Sequence, residues 1–440
     1  MLLKQDKKIV NRFERMLEKK STYKTGTLFH VADSILEKKK RINNLVLKHR
    51  TPFYVFDKKN LDESIDVFVD SFKKEIPRFS AYYAMKINHH LLIVERAVKK
   101  GLGIDVGSIR ELEMAIKAGS DNILYFSPGK TDNDIINALR HADSIRINID
   151  SFGELKRLGI LAKKHGKKIR AGVRINTAAQ GTWKKYGISL DELIIFWKES
   201  KKYPNINLEG IHFHTSRNKD ASLYESTIKE LGLYLKHFFG KNDLEKIRYV
   251  DFGGGFEVYE SEGFYPDKTP LGSIIQSVNY DFGMKTNFKE RYYVREAIKL
   301  EEYAQKIGKV IKTYLEPILT DVEYFSEPGR IICNNSMHIV LSVVDIKDKE
   351  NVILDGGVNM VGWQRFEYEY FPLVNISNPS KKELKCNMWG NLCTTWDTWG
   401  YYCYAEKIES GDIVVVPNQG ALTYSLAQNF IQPIPPVYNL

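Results

Sequence analysis

Five groups of residues in this chain have types and spacings suited to chemistry, and each closes a short apolar run. Lys86 ends Tyr82-Tyr83-Ala84-Met85. A lysine among Tyr83, Met85 and Ile87 is partly desolvated, which disfavours the ammonium and frees a nucleophilic amine, unless the strand end points it into water. His212 and His214 sit two apart, so on a strand they face one side. Gly253-Gly254-Gly255 follows Val250-Asp251-Phe252. Consecutive glycines let backbone N–H groups converge on an anion, or simply make a tight turn. Glu327-Pro328-Gly329-Arg330 supplies a guanidinium for phosphate and a carboxylate able to bond a heterocyclic nitrogen, unless it is an exposed Pro-Gly turn. Cys393, in Trp389-Gly390-Asn391-Leu392-Cys393, is a thiol in a loop, or else a small buried hydrophobe.

The first four groups end strands in one repeating pattern. Eight apolar runs lie between residues 80 and 330, with helix-like stretches between them. They begin near Tyr82, Gly103, Asn122, Ser144, Arg170, Glu209, Tyr249 and Val322. That alternation predicts a (β/α)₈ barrel, an α/β fold, whose active site lies at the C-terminal ends of its strands. A phosphate site after strands seven and eight suits the glycine triplet and Arg330. Beyond residue 330 the runs His338–Ile346, Val352–Leu354 and Asp412–Val416 predict a mostly antiparallel β domain. The expected organisation is an N-terminal extension over 1–50 packing partly with the β domain, a barrel over 51–330 and a β domain over 331–440. The stretch 258–300 exceeds a normal βα loop and is expected to be an insertion near the barrel mouth.

Composition narrows the partners. The net charge of +10 comes from scattered lysine clusters on polar faces, not from a recognition helix or zinc finger, so nucleic acid is not expected. No run reaches membrane-spanning length and no secretory leader opens the chain, so no membrane partner is expected. Four cysteines without CxxC spacing suit a reducing cytoplasm. Neither a dinucleotide fingerprint nor a Walker A loop is present.

Two chemistries compete for the strand ends. An HxH pair occurs in metal-dependent barrel hydrolases, yet these carry further His and Asp ligands at other strands, and only His89 and His90 lie near Lys86. A lysine, a phosphate turn, a carboxylate and a flat histidine together describe pyridoxal 5′-phosphate (PLP) held as a Schiff base.

From Thr51 to about Gln428 the chain resembles the fold type III, alanine-racemase-fold, PLP-dependent decarboxylases that include diaminopimelate and ornithine decarboxylases. Tyr83-Ala84-Met85-Lys86-Ile87-Asn88 is similar to the family's lysine motif, and Asp105-Val106-Gly107-Ser108-Ile109-Arg110-Glu111 to the stretch beside it. The resemblance implies that Lys86 is the Schiff-base lysine. It further implies that Asp105, Ser108 and Arg174 lie near the cofactor, and that His214 stacks on its ring. Gly253, Gly254, Gly255, Gly329 and Arg330 would hold its phosphate, and Glu327 its ring nitrogen. Trp389–Asp397 resembles a loop that in relatives reaches the other subunit's active site. This implies a homodimer with shared sites, Cys393 as proton donor to the α-carbon and Asp397 near the amino-acid substrate. Relatives of the racemase branch place an arginine opposite the ring nitrogen, so Glu327 points to decarboxylation. A non-catalytic PLP carrier on such a barrel would lack residues 331–440.

The chain departs from the family's pattern at several places. Thr394 replaces the acid that meets the substrate's distal amine. Thr215-Ser216-Arg217 replaces glycine-serine, leaving Ser216 or Arg217 as the phosphate contact. Leu422 replaces the phosphate tyrosine, with Tyr424 as a substitute. Arg365 matches only loosely the arginine that holds a substrate carboxylate. A neutral Thr394 suits a diamino acid whose distal amine is acylated or conjugated, as in siderophore or other secondary-metabolite pathways. Diaminopimelate decarboxylation for lysine biosynthesis is the alternative.

Overall fold

The computed structural model describes residues 8, 11–12, 15, 27–181, 185–265, 272–274, 277, 292–348, 350–362 and 369–440. They form two compact units: one of residues 58–258 and 297–333, the other of 1–57, 259–296 and 334–440.

The first unit is the barrel. Its strands are Phe79–Ala84, Gly103–Val106, Ile123–Phe126, Ile145–Ile149, Ile169–Asn176, Ile206–His212, Tyr249–Asp251 and Glu323–Ser326. Each pairs in parallel with the next, and the eighth returns to the first, Phe325 opposite Ser80, which closes the ring. Tyr82, Leu124, Tyr249 and Phe325 form one interior cluster. Gly210 makes room for it: a Cβ there would lie 2.0 Å from the Tyr249 ring. The outer helices show the expected periodicity. Lys58–Glu75 buries Leu61, Ile65, Phe68 and Phe72, one stripe at helical spacing.

The second unit is built on an eight-stranded sheet. In order across it stand Asn351–Leu354, Glu383–Trp389, Thr398–Tyr404, Leu373–Asn375, Ile413–Val416, Met337–Asp348, Phe53–Phe56 and Val437–Asn439. Most pairings are antiparallel. Ala32, Ile35 and Ile42, from the helices Phe29–Leu36 and Lys39–Val46, pack with Phe53, Val340 and Val374 of this sheet.

Two boundaries differ from those expected. The barrel unit begins at Lys58, not at residue 51, because Phe53–Phe56 pairs with Met337–Val340 and with Val437–Asn439. Most of 258–300, its described part within 259–296, belongs with the second unit. There Gly263–Phe264 pairs with Tyr293–Val294 and with Glu369–Tyr370. Among the described residues no helix is long and apolar enough to cross a membrane.

Candidate active site

The barrel places Lys86 by ending its first strand early. Ala84 is the last paired residue, and a single 3₁₀ turn, Met85–Ile87, follows. Met85 is buried and Lys86 keeps about half its side chain accessible, on a floor ringed by protein. The second strand pairs Asp105 with Ala84, so the buried Asp105 carboxyl comes to 3.4 Å from Lys86 Nζ. The two groups move each other's protonation. Burial pulls the lysine down, but Asp105 and Glu327 outweigh it and the net shift is upward. Desolvation alone, as read from sequence, would have freed the amine; the neighbouring carboxylates reverse that. Burial and the charge of Glu327 push Asp105 up to about 7.

Ser108 and Glu111 serve the helix that follows. The Ser108 hydroxyl caps Ile109–Lys117 by accepting from Glu111 N–H, and Glu111 accepts from Gly107 N–H at 2.7 Å. Ser108, expected near the cofactor, thus has a structural task.

Arg174 and His212 stand in register on the fifth and sixth strands. Arg174 Nη1 lies 3.2 Å from His212 Nε2, Nη2 donates to the His214 carbonyl, and the guanidinium sits 4.8 Å from the Phe126 ring centre. Two residues on, His214 is partly open. Burial lowers His212 well below its ordinary value and His214 to about 4.

Glu327 is the hub of the site. It is 2 % exposed and ends the eighth strand. Its Oε1 lies 3.3 Å from His212 Nε2 and its Oε2 3.2 Å from His214 Nδ1. Burial works against its charge, but His212, His214 and Lys86 prevail and hold it well below the usual carboxylate range. The glycine triplet threads between these groups. Gly253 and Gly255 have φ of +70° and +94°. A Cβ on Gly253 would lie 2.7 Å from His214 Nδ1, and one on Gly254 2.1 Å from the Glu327 carbonyl. Only glycine fits. The Gly254 N–H is directed at His214 Nδ1, 3.1 Å away, and so is not one of the anion donors expected from sequence. Gly329 packs its backbone against Ile87, bringing the start of the Arg330–Cys333 helix to the Lys86 turn. Ser216 and Arg217 are exposed, Arg217 with a left-handed φ of 55°.

Sequence reasoning missed Asp251, a fully buried carboxyl that touches Glu327. Its signal was an ionisable residue inside the apolar run Tyr249–Phe252. Gln180, which donates to the His214 carbonyl, left no signal.

In the second unit, Cys393 is exposed on the loop between Glu383–Trp389 and Thr398–Tyr404. Asp397, expected near the substrate, is instead buried and pins this loop. Its carboxylate accepts from Leu392 N–H at 2.6 Å and Val358 N–H at 2.8 Å, and Gly390 leaves room for it. Burial raises it to about 6. Thr394 is half-buried. Tyr424 rests edge-on against Tyr54 at 5.5 Å, and Arg365 lies outside the described residues.

Metal ligation was the rival reading, and His212, His214 and Glu327 do bring ligand atoms within 4.8 Å of one another. Arg174 against His212 and the Lys86 ammonium add positive charge where a dication would sit. The family comparison decides. The model of the pyridoxal-dependent decarboxylases, for their pyridoxal-binding domain, matches residues 63–334. The chain belongs to this family. It is a PLP-dependent amino-acid decarboxylase with the type III fold. The site fits the cofactor: the buried Glu327 carboxylate, held well below the usual carboxylate range, suits a protonated ring nitrogen beside an accessible lysine.

The decarboxylase is 25 % identical over 425 residues to diaminopimelate decarboxylase of Aquifex aeolicus, covering 93 % of this chain and 89 % of that one. It is 26 % identical over 409 residues to the 2-[(L-alanin-3-ylcarbamoyl)methyl]-2-hydroxybutanedioate decarboxylase of Staphylococcus aureus, covering 87 % and 91 %. Its fold matches the Vibrio vulnificus lysine/ornithine decarboxylase complexed with cadaverine at a TM-score of 0.72 and 20 % identity, covering 92 % and 96 %.

Proposed function

We propose that this decarboxylase acts on a diamino acid or on a derivative acylated or conjugated at its distal amine. The observation that carries the decarboxylation is the buried, ionised Glu327 across the site from Lys86. PLP, when bound, supplies an electron sink for the pair left as CO₂ departs. Lys86 would hold the cofactor covalently, with Asp105 3.4 Å from its Nζ to orient it. Glu327 would keep a proton on the ring nitrogen, His214 would cover the ring face, and Gly255 with Arg330 would serve the phosphate; Ser216 and Tyr424 are the further candidates for that anion. Arg174 holds His212 and the His214 carbonyl in place.

The distal end of the substrate is read from Thr394. A neutral hydroxyl cannot pair with a free ammonium as a carboxylate would. The Staphylococcus aureus relative is named for a substrate whose amine is carried as an amide, which supports a conjugated substrate here. Diaminopimelate is the second reading, favoured by the name of the Aquifex aeolicus relative and several others. A screen of CO₂ release separates them. Turnover of N-acylated diamino acids well above free lysine, ornithine and meso-diaminopimelate supports the conjugated substrate. The reverse order overturns it in favour of diaminopimelate.

The exposed Cys393 loop supports a homodimer in which Cys393 of one copy returns the proton to the α-carbon in the other's site. Mixing inactive Lys86→Ala and Cys393→Ala proteins should then recover roughly a quarter of the activity, since half the dimers carry one intact site. No recovery excludes sharing.

A further inference from the structure

Beneath Glu327 lies a group the proposed mechanism does not use. Asp251 ends the seventh strand, paired with Phe325 of the eighth, and is fully buried. Its Oδ1 accepts from Gly253 N–H at 2.8 Å. Its Oδ2 is buried with no donor, and Glu327 Oε1, 3.3 Å from His212 Nε2, takes no hydrogen bond there either. The two side chains are in contact. Two buried carboxylates cannot face each other with both charges uncompensated, and one shared proton satisfies both orphaned oxygens. The surroundings decide which carboxyl keeps it. His212 and His214 flank Glu327, as does the Lys86 ammonium, so Glu327 is the charged member. For Asp251, burial and then Glu327 raise the carboxyl well above its usual range.

We propose that Asp251 is a protonated positioning residue that donates a hydrogen bond from Oδ2 to Glu327 Oε1, fixing the Glu327 carboxylate in the plane it needs to meet the cofactor's ring nitrogen. The proposal rests on Glu327 being the partner of that nitrogen. A neutral donor below the carboxylate orients it and tempers its basicity without adding a second negative charge. The charged and titratable groups around the pair include Lys86, Tyr82, Asp105, Arg174, His212, His214 and Tyr249, so a change at Asp251 is read against all of them.

The test begins on the apoprotein, where no cofactor chemistry enters. Infrared difference spectra of wild type against Asp251→Asn at neutral pH should show a protonated-carboxyl band lost in the variant. Asp105→Asn serves as control for the other raised carboxyl. If Asp251→Asn folds poorly, Glu327→Gln reads the same contact from the other side, since the band must move when its acceptor becomes an amide. A band neither lost nor moved overturns the proposal.

The second arm measures PLP retention. Asp251→Asn, which keeps a neutral donor, should hold the cofactor nearly as wild type does. Asp251→Ala should raise the dissociation constant by roughly tenfold. Equal weakening by both variants, at unchanged melting temperature, overturns the donor role. If Glu327→Gln leaves the PLP spectrum and its pH dependence unchanged while the Asp251 band is present, the ring-nitrogen reading has failed and the shared proton has not.

Discussion

The strand ends of the barrel and the Cys393 loop are built on opposite principles. At the strand ends, Lys86, Asp105, Arg174, His212, Asp251 and Glu327 form one interlocked charge network, most of it buried, in which burial and neighbouring charges together shift each group's protonation. On the loop, a single buried carboxylate, Asp397, ties backbone N–H groups so that an exposed thiol is held out to solvent beside a half-buried, neutral Thr394. The chemistry common to the family is thus fixed by a rigid core, whose parts cannot vary independently. The features that distinguish this chain sit where a substitution disturbs little else. Under the proposed function, that arrangement would let the substrate change while the electron sink stays constant.

The sharpest way to break the contrast is to remove one group from each side. Lys86→Ala should lower kcat by about 10³-fold or more and abolish the covalent PLP absorption band. Cys393→Ala should lower kcat by about 10²-fold while leaving both that band and the melting temperature as in wild type. A cysteine variant that unfolds or loses its cofactor would show that the loop is part of the core after all. For packing, Gly254→Ala forces a Cβ to 2.1 Å from the Glu327 carbonyl and should cost about 2–4 kcal/mol in chemical denaturation, with loss of PLP binding.

Acid titration yields the smallest effect and separates the two regions by sign. His214 is held at about 4, below its ordinary 6.5, so the unfolded chain binds a proton there that the native barrel refuses. Its contribution to stability is present above pH 6.5 and is lost as the pH falls toward 4. Asp397 is raised from 3.8 to about 6 by burial, so its contribution runs the other way, largest below pH 3.8 and lost as the pH rises through 6. Melting temperatures of the apoprotein between pH 4 and 7.5 check this. The wild-type minus His214→Gln difference should slope upward with pH, and the wild-type minus Asp397→Asn difference downward. Two slopes of one sign would refute the assignment.

Much of the barrel was legible because its strands are apolar runs that end in chemically distinctive residues, and each run stood where a strand was found. The grouping of Lys86, His214, Glu327 and the glycine triplet followed from strand order alone. Three things were not legible, for related reasons. Phe53–Phe56 is buried on both faces, and such a run does not reveal its pairing partner, here Met337–Val340. The protonation of Lys86 depends on Asp105, a neighbour across the sheet whose register the sequence does not print. Asp251 drew no functional reading because a lone acid among Tyr249, Val250 and Phe252 shows its partner only once Glu327 lies beside it. Asp397 was misplaced for the opposite reason. Its motif pointed at substrate, while its carboxylate is consumed by the backbone that displays Cys393.

The strand Phe53–Phe56 has a consequence for synthesis. It precedes every barrel strand in sequence, yet it pairs with Met337–Val340 and Val437–Asn439, which follow them all. The barrel, by contrast, is complete once residue 333 has emerged, and its strands join in chain order. Such long-range pairing is slow, because loop closure precedes any gain from contact. An apolar strand whose partners, Met337–Val340 and Val437–Asn439, both follow the barrel in sequence is left uncovered until they emerge, and it is the segment for which a chaperone would compete.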